Sequence, residues 1–236
     1  MKFIKMQNLG NDFIFINKML SKEDIKIICD RYFGVGADGV IVISKDKTFI
    51  KIFNSDGSEA NTCGNALLCL GKLYPEINEI KTNSGIKKIE KEDGNITINM
   101  GVPMIMKGFP KKFQGIPINV VNIGNIHVIA LVDNVDTFDL EYFARSIQQY
   151  LNANINIVSN VCKTSFKIRT FEFGADETNA CGSGISSSFF VLNKLGLVES
   201  NCEAYALGGT MQVFKKENEI FIKSRPKLVY KGVINI

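Results

Sequence analysis

With 236 residues, 45% of them apolar, the chain can bury a sizeable core as one large domain or two small ones. Its net charge of +4 is mild and no dense Lys/Arg run carries interleaved aromatics, so composition offers no case for a nucleic-acid partner. No apolar run nears the roughly 18 residues of a membrane helix, and "MKFIKMQNLGNDF" lacks the apolar core of a secretory signal, so the expected setting is cytoplasmic, without a membrane partner and with reduced thiols.

The chain opens on two extended runs, "KFIKMQ" and "DFIFIN", separated by "NLGN". "SKEDIKIICDRYFG" reads as a helix with Ser21 as N-cap, Asp24 at the capping-box position, Ile25 and Ile28 on one face and Gly34 as its stop. "GVIVI" and "TFIKIFN" are strands, "SDGS" is a turn, and "GNALLCLGKLY" has helical apolar spacing. "GIKKIEKEDGNITINM" is a hairpin turning at Asp93-Gly94. The Pro/Gly-rich stretch 107–117 is the best linker candidate. Beyond it come the strands "INVVN" and "HVIALV", then the helix "FDLEYFARSIQQY" with Phe138, Tyr142 and Phe143 aligned. The strand "TSFKIRTFEF", the helix "GSGISSSFFVLNKLG" and the hairpin "MQVFKKENEIFIKS" follow, and the last strand, "KLVYKGVINI", is expected to return to the first domain.

One phrase occurs twice. "EANTCGN" and "ETNACGS" place Cys63 and Cys181 118 residues apart, half the chain. "GNDFIFI" at Gly10 and "GNIHVIA" at Gly124 repeat at an offset of 114. Two echoes in the same order at nearly one offset indicate two homologous α/β halves. The expected halves are residues 1–111 with 225–236, and 112–224, with the active site in the cleft between them.

The six cysteines include no Cys-x-x-Cys pair, and one histidine leaves few other ligands, so no structural zinc is expected. Cys29, Cys69, Cys162 and Cys202 read as small buried apolar residues. Cys63 and Cys181 differ, because each ends a polar turn and precedes a helix. The backbone N–H groups of Gly64-Asn65 and Gly182-Ser183 would then form helix N-termini, which bind anions and lower a thiol's pKa. Two such thiols facing one α-carbon suit stereochemical inversion, one as thiolate base and the other as thiol acid. The rival readings are a redox pair, a Cys-His nucleophile using His127, and a binding module that uses only the helix termini. A redox pair needs sulfurs within bonding distance, and the other two leave the duplicated cysteine unexplained.

These residues resemble the diaminopimelate epimerase family of cofactor-independent amino-acid racemases. "NLGNDF", "DRYFGVGADGV", "FNSDGSEANTCGN", "NIGNIHV", "NANIN", "FEFGADETNACGSG" and "VYKGVI" carry the resemblance over nearly the whole chain. It implies an α+β fold of two pseudo-symmetric halves, each a curved sheet wrapped around a central helix. It also implies an isomerase with no pyridoxal phosphate, no metal and a free amino acid as substrate, and it allows a homodimer. By motif, Cys63 and Cys181 match the catalytic bases, and His127 and Glu172 match the polar neighbours that assist them. Asn11, Asn54, Asn125 and Asn154 match substrate-contacting asparagines. Gly64, Asn65, Gly182 and Ser183 match the backbone anion site.

The chain departs from the family at Ala66 and Leu68, where the family phrase has Gly and Arg, and at Ile126, where it has Pro. It also has Phe173 where the family has the arginine that helps hold diaminopimelate's distal carboxylate. A buried carboxylate without its cation is costly. Phe173 as a substrate contact therefore suggests a flat, neutral side chain, with histidine as the favoured substrate and diaminopimelate as the alternative.

Overall fold

Strand pairing begins at the first residues. In the computed structural model, which describes residues 1–235, β1 (Lys2–Asn8) and β2 (Asn11–Ile16) form an antiparallel hairpin. Helix α1 (Lys22–Cys29) crosses over to β3 (Gly39–Ile43), which lies parallel to β2. β4 (Ile50–Asn54) pairs antiparallel with β3, and the two-residue β5 (Glu59–Ala60) folds back on β4. Helix α2 (Gly64–Leu73) follows, then the meander β6 (Glu79–Thr82), β7 (Gly85–Glu92) and β8 (Asn95–Gly101). The β7–β8 turn has Asp93 and Gly94 both at positive φ, 50° and 78°, the conformation that an Asp-Gly hairpin demands.

The same order of elements recurs in the second half. After the short β9 (Met104–Ile105) and β10 (Lys112–Phe113), β11 (Ile116–Asn122) and β12 (Ile126–Leu131) form a hairpin. Helix α3 (Leu140–Gln148) crosses to β13 (Asn154–Cys162), which runs parallel to β12. β14 (Ser165–Glu172) and β15 (Asp176–Thr178) lead into helix α4 (Gly182–Lys194), and β16 (Asn201–Ala206), β17 (Gly209–Lys216) and β18 (Glu219–Ser224) close the repeat. The last strand, β19 (Lys227–Val233), pairs antiparallel with β1. The expected strand ran on to residue 236, which lies outside the described residues.

The fold is thus α+β, mostly sheet, with four helices among the described residues. It divides into two units, Met1–Ile98 with the stretch from Ser224, and Asn99–Lys223. The division falls before the 107–117 stretch. That segment is no bare linker, because Phe109 and Phe113 pack on the core of the second unit and β10 pairs with β11. Each repeat has one helix buried on nearly every side. In α2 every residue from Gly64 to Gly71 is buried, and in α4 Gly182, Ile185, Phe189 and Leu192 are. Such a helix carries small and apolar residues all round instead of a stripe.

Two helices differ from their sequence reading. Ser21 caps α1 through the amide of Asp24 at 3.0 Å, but the helix ends at Cys29 and not at Gly34. The Asp30 carboxylate accepts the amides of Tyr32 and Phe33, both at 2.7 Å, and so stabilises a turn that competes with helix. In α3, Tyr142 is 64% exposed, and Phe138 lies before the N-cap Asp139. Only Phe143 is buried, and Phe138 meets it edge-on at 5.3 Å.

Candidate active site

In the first unit the short segment after β5 delivers Cys63 to the N-cap of α2. Its backbone is extended, at φ −147° and ψ 118°, and its carbonyl accepts the first helical bond from Leu67 at 3.1 Å. The thiol does not cap the helix, and no acidic residue sits in the first turn. First-turn N–H groups have no acceptor within a helix, so this end is positive and suited to an anion. Gly64 and Asn65 are buried there, and Cys63 is half-buried.

A directional chain of amides braces this helix end. Ser224 Oγ donates to Asn8 Oδ1 at 2.7 Å, and Asn8 Nδ2 donates to Asn65 Oδ1 at 2.9 Å. Asn65 Nδ2 donates to Asn11 Oδ1 at 3.0 Å, and Asn11 Nδ2 donates to Asp38 Oδ2 at 2.7 Å. A carboxylate only accepts, so Asp38 sets the orientation of every amide back to Asn8. Asp38 is held in turn by Arg31 at 2.7 Å, which also pairs with Asp12 at 3.0 Å. Burial would raise the Asp12 carboxyl's pKa, but hydrogen bonds from Arg31 and Lys5 outweigh it and the net shift is downward. Asn11 therefore uses both ends of its amide inside the unit. Asn54 is exposed at the turn, with Nδ2 on Ser58 Oγ at 2.9 Å.

In the second unit the short segment after β15 delivers Cys181 to the N-cap of α4 in the same way, at φ −117° and ψ 111°, again with no acidic residue in the first turn. Cys181 is buried, and its Sγ lies 3.4 Å from Ser183 Oγ. Ser183 Oγ is 3.0 Å from His127 Nε2 and 3.4 Å from Asn125 Nδ2. His127 Nε2 is also 3.1 Å from Asn125 Oδ1. Burial drives the His127 imidazole down to a pKa of about 3, against a smaller raising effect of its bond to Asn156. It is therefore neutral at physiological pH and cannot take up a second proton there.

The remaining predicted residues are spread along the strand ends. Asn154, at the start of β13, has Nδ2 on Ile126 O at 3.3 Å and Oδ1 on the Phe173 amide at 3.0 Å, so its side chain ties β13 to the end of β14. Glu172 is half-buried and accepts from Thr178 Oγ1 at 2.7 Å. The Phe173 ring is 53% exposed. Ala66 and Leu68 are wholly buried, so Leu68, which stands where the family has arginine, is a core residue of α2 and presents no side chain to a ligand.

Sequence reading missed Asn8, Asp38, Asn156 and Thr170. The signal for Asn156 was its place two residues beyond Asn154 in "NINIV". Strand alternation puts the two asparagines on one face, which ordinarily means the solvent face, yet Asn156 is wholly buried. The other cysteines divide. Burial raises Cys29 to about 12 and Cys202 to about 11, and pushes Cys69 well above the ordinary thiol value. Cys162, expected to be buried, is exposed at the β13–β14 turn, where hydrogen bonds from Ser165 and Thr164 lower its pKa. Among the described residues, no group of three or more His, Cys, Asp or Glu is placed to hold a metal, and no helix is long and apolar enough to cross a membrane.

Comparison with known proteins places this arrangement. The diaminopimelate epimerase family matches residues 3–106 and 119–229. A diaminopimelate epimerase of Acetivibrio thermocellus is 30% identical, covering 100% of this chain and 99% of its own length. One from Methanococcus maripaludis is 31% identical, with 100% of both chains covered. Among solved structures, a PhzF-family phenazine biosynthesis protein from Bacillus anthracis matches with a TM-score of 0.75 at 17% identity, covering 100% of this chain and 99% of its own. A hydroxyproline epimerase from Agrobacterium vitis matches with a TM-score of 0.72 at 14% identity, covering 98% and 91%. The structural matches share the fold, and the full-length sequence matches carry the family: this chain belongs to the diaminopimelate epimerase family and is an isomerase of the epimerase and racemase kind.

Proposed function

We propose that the protein interconverts stereoisomers of diaminopimelate at one α-carbon, using Cys63 and Cys181 as its acid–base pair and no organic cofactor. The observation that carries this reading is the duplicated cysteine at the N-cap of a buried helix, once in each unit, in a chain whose full-length relatives are diaminopimelate epimerases. The thiolate of one cysteine takes the α-proton. The electron pair of the broken C–H bond spreads into the α-carboxylate, and the other thiol returns a proton from the opposite side. The roles reverse for the reverse reaction. An ordinary thiol, with a pKa near 8.5, is only a few per cent ionised at neutral pH. The positive first turns of α2 and α4 favour thiolate and stabilise the charge that develops on the carboxylate. Asn54 and Asn125, both exposed, are the asparagines best able to reach a ligand directly. Asn11 and Asn154 serve it through the residues they hold.

The named relatives favour diaminopimelate over histidine, and nothing in the comparisons supports histidine. Leu68, the other position where the family has arginine, is buried in the core, so its departure does not bear on the substrate. Phe173 alone favours a neutral substrate side chain, and a cation from another position can replace the missing arginine. The test is a side-by-side assay in D2O of LL-diaminopimelate and L-histidine. Exchange of the α-proton and formation of the meso isomer are expected only for diaminopimelate. Exchange at histidine alone would overturn the substrate assignment.

A further inference from the structure

The imidazole of His127 is held from both sides, and the partners on the far side settle which nitrogen bears the proton. Asn156 Nδ2 lies 3.0 Å from His127 Nδ1. The same nitrogen reaches the carbonyls of Val128 at 3.3 Å and Asn154 at 3.4 Å, while Asn156 Oδ1 accepts from Thr170 Oγ1 at 3.0 Å. Carbonyl oxygens only accept, so the amide nitrogen faces the ring and cannot be the oxygen in its place. Nδ1 must then be the unprotonated acceptor, and the proton of the neutral ring sits on Nε2. That N–H points to Asn125 Oδ1 and Ser183 Oγ.

The consequence runs on to the thiol. A hydroxyl accepts twice and donates once. Ser183 Oγ accepts from His127 Nε2–H and from Asn125 Nδ2, which leaves its own hydrogen for Cys181 Sγ, 3.4 Å away. We infer that Asn156 is a positioning residue for Cys181: it locks His127 as the Nε2–H tautomer, which turns the Ser183 hydroxyl onto the sulfur as a donor that stabilises the thiolate. His127 thus acts as a fixed donor and not as the base that deprotonates Cys181.

The first unit argues that this relay is more than inherited scaffold. Aligning Gly10-Asn11 with Gly124-Asn125 puts Phe13 at the place of His127, and the parallel registers Phe13 to Gly39 and His127 to Asn154 then put Ile41 at the place of Asn156. Both equivalents are buried apolar side chains. A core position of the same fold is filled without polar atoms in one repeat, so the polar set in the other answers a need beyond packing. Gly184 belongs to the same design, because a Cβ there would stand 2.2 Å from Asn156 Oδ1.

The inference rests on reading Cys181 as one of the two acid–base thiols, but its test needs no substrate and so stands apart from the substrate assignment. His127 is the only histidine in the chain, so the imidazole nitrogens of protein labelled with 15N-histidine are assigned without ambiguity. The native protein should give the Nε2–H pattern with no titration between about pH 5 and pH 8, the range in which a free imidazole changes charge. Asn156→Asp places an acceptor at Nδ1, so the pattern should change to Nδ1–H or imidazolium. Alkylation of Cys181, followed on its own peptide, should move to higher pH by about one unit in Ser183→Ala, as expected for losing a hydrogen bond to a charged sulfur. Where Asn156→Asp gives the Nδ1–H ring it should give a similar rise, and the double variant no more than either alone, whereas an imidazolium keeps its Nε2–H and should give no rise. An Nδ1–H pattern in the native protein, or a Cys181 alkylation profile unmoved by Ser183→Ala, would overturn the inference. Those two measurements decide it even if Asn156→Asp fails to fold.

Discussion

Cys63 and Cys181 are the residues on which activity is expected to turn. Positioned acid–base groups contribute about 100- to 10,000-fold, so Cys63→Ala and Cys181→Ala should each lower the epimerisation rate by at least about 1,000-fold without unfolding the chain. Steady-state rates beside circular dichroism spectra check this, and near-native turnover in either variant would remove the two-thiol mechanism. His127 makes a separate prediction about pH. The unfolded chain protonates this ring near 6.5 and the folded protein only near about 3. Its contribution to stability is therefore complete above pH 6.5 and is lost as the pH falls toward 3, because the unfolded state binds the extra proton. In urea titrations the native protein should lose stability over this window more steeply than His127→Gln. Equal slopes would mean that the ring takes up its proton at the same pH in the folded and unfolded states. The chemical identity of these side chains was legible in the sequence. Their state was not, because a tautomer or a depressed pKa depends on burial and on partners as distant along the chain as Asn156 and Ser183.

At the scale of elements, the central helix α4 sets two opposing expectations. The hydroxyls of Ser187 and Ser188 are buried without a hydrogen-bond partner among the described residues. An unsatisfied buried hydroxyl costs about 1–3 kcal/mol, so Ser187→Ala and Ser188→Ala should be neutral or should stabilise the protein by about 1 kcal/mol in denaturant titrations. Gly184 behaves oppositely. Glycine to alanine within a helix ordinarily gains about 1 kcal/mol, but here the new Cβ meets Asn156 Oδ1 at 2.2 Å and Thr170 Oγ1 at 3.2 Å. Overpacking of about 1–3 kcal/mol wins, and Gly184→Ala should lower the denaturation midpoint. Helices and hairpins with a strong local signal were readable, as the Ser21 cap and the Asp93-Gly94 turn illustrate. β13 and β16 went unread, because "NINIVSNVC" and "NCEAYA" set polar residues where a strand's buried face shows only in the assembled sheet.

On the scale of the whole molecule, the C-terminal strand β19 completes the first unit. It pairs with β1 from Lys2 to Gln7, Ile234 bonds back to Met1, and Ser224 starts the amide chain that reaches Asn65. A chain ended after Lys223 should lose hydrogen-exchange protection in β1 and much of its stability. Unchanged protection there would mean that β1 is held from the β2 side alone. The sequence by itself determined the duplicated cysteine phrase and the family, because these are encoded in short motifs whose spacing survives without a structure. Tertiary structure alone decided where the units divide, that Leu68 is core, and that Asn8, Asp38 and Asn156 brace the two helix ends. Those outcomes depend on contacts between segments tens to hundreds of residues apart, and no local pattern along a chain encodes which buried polar group will find which partner.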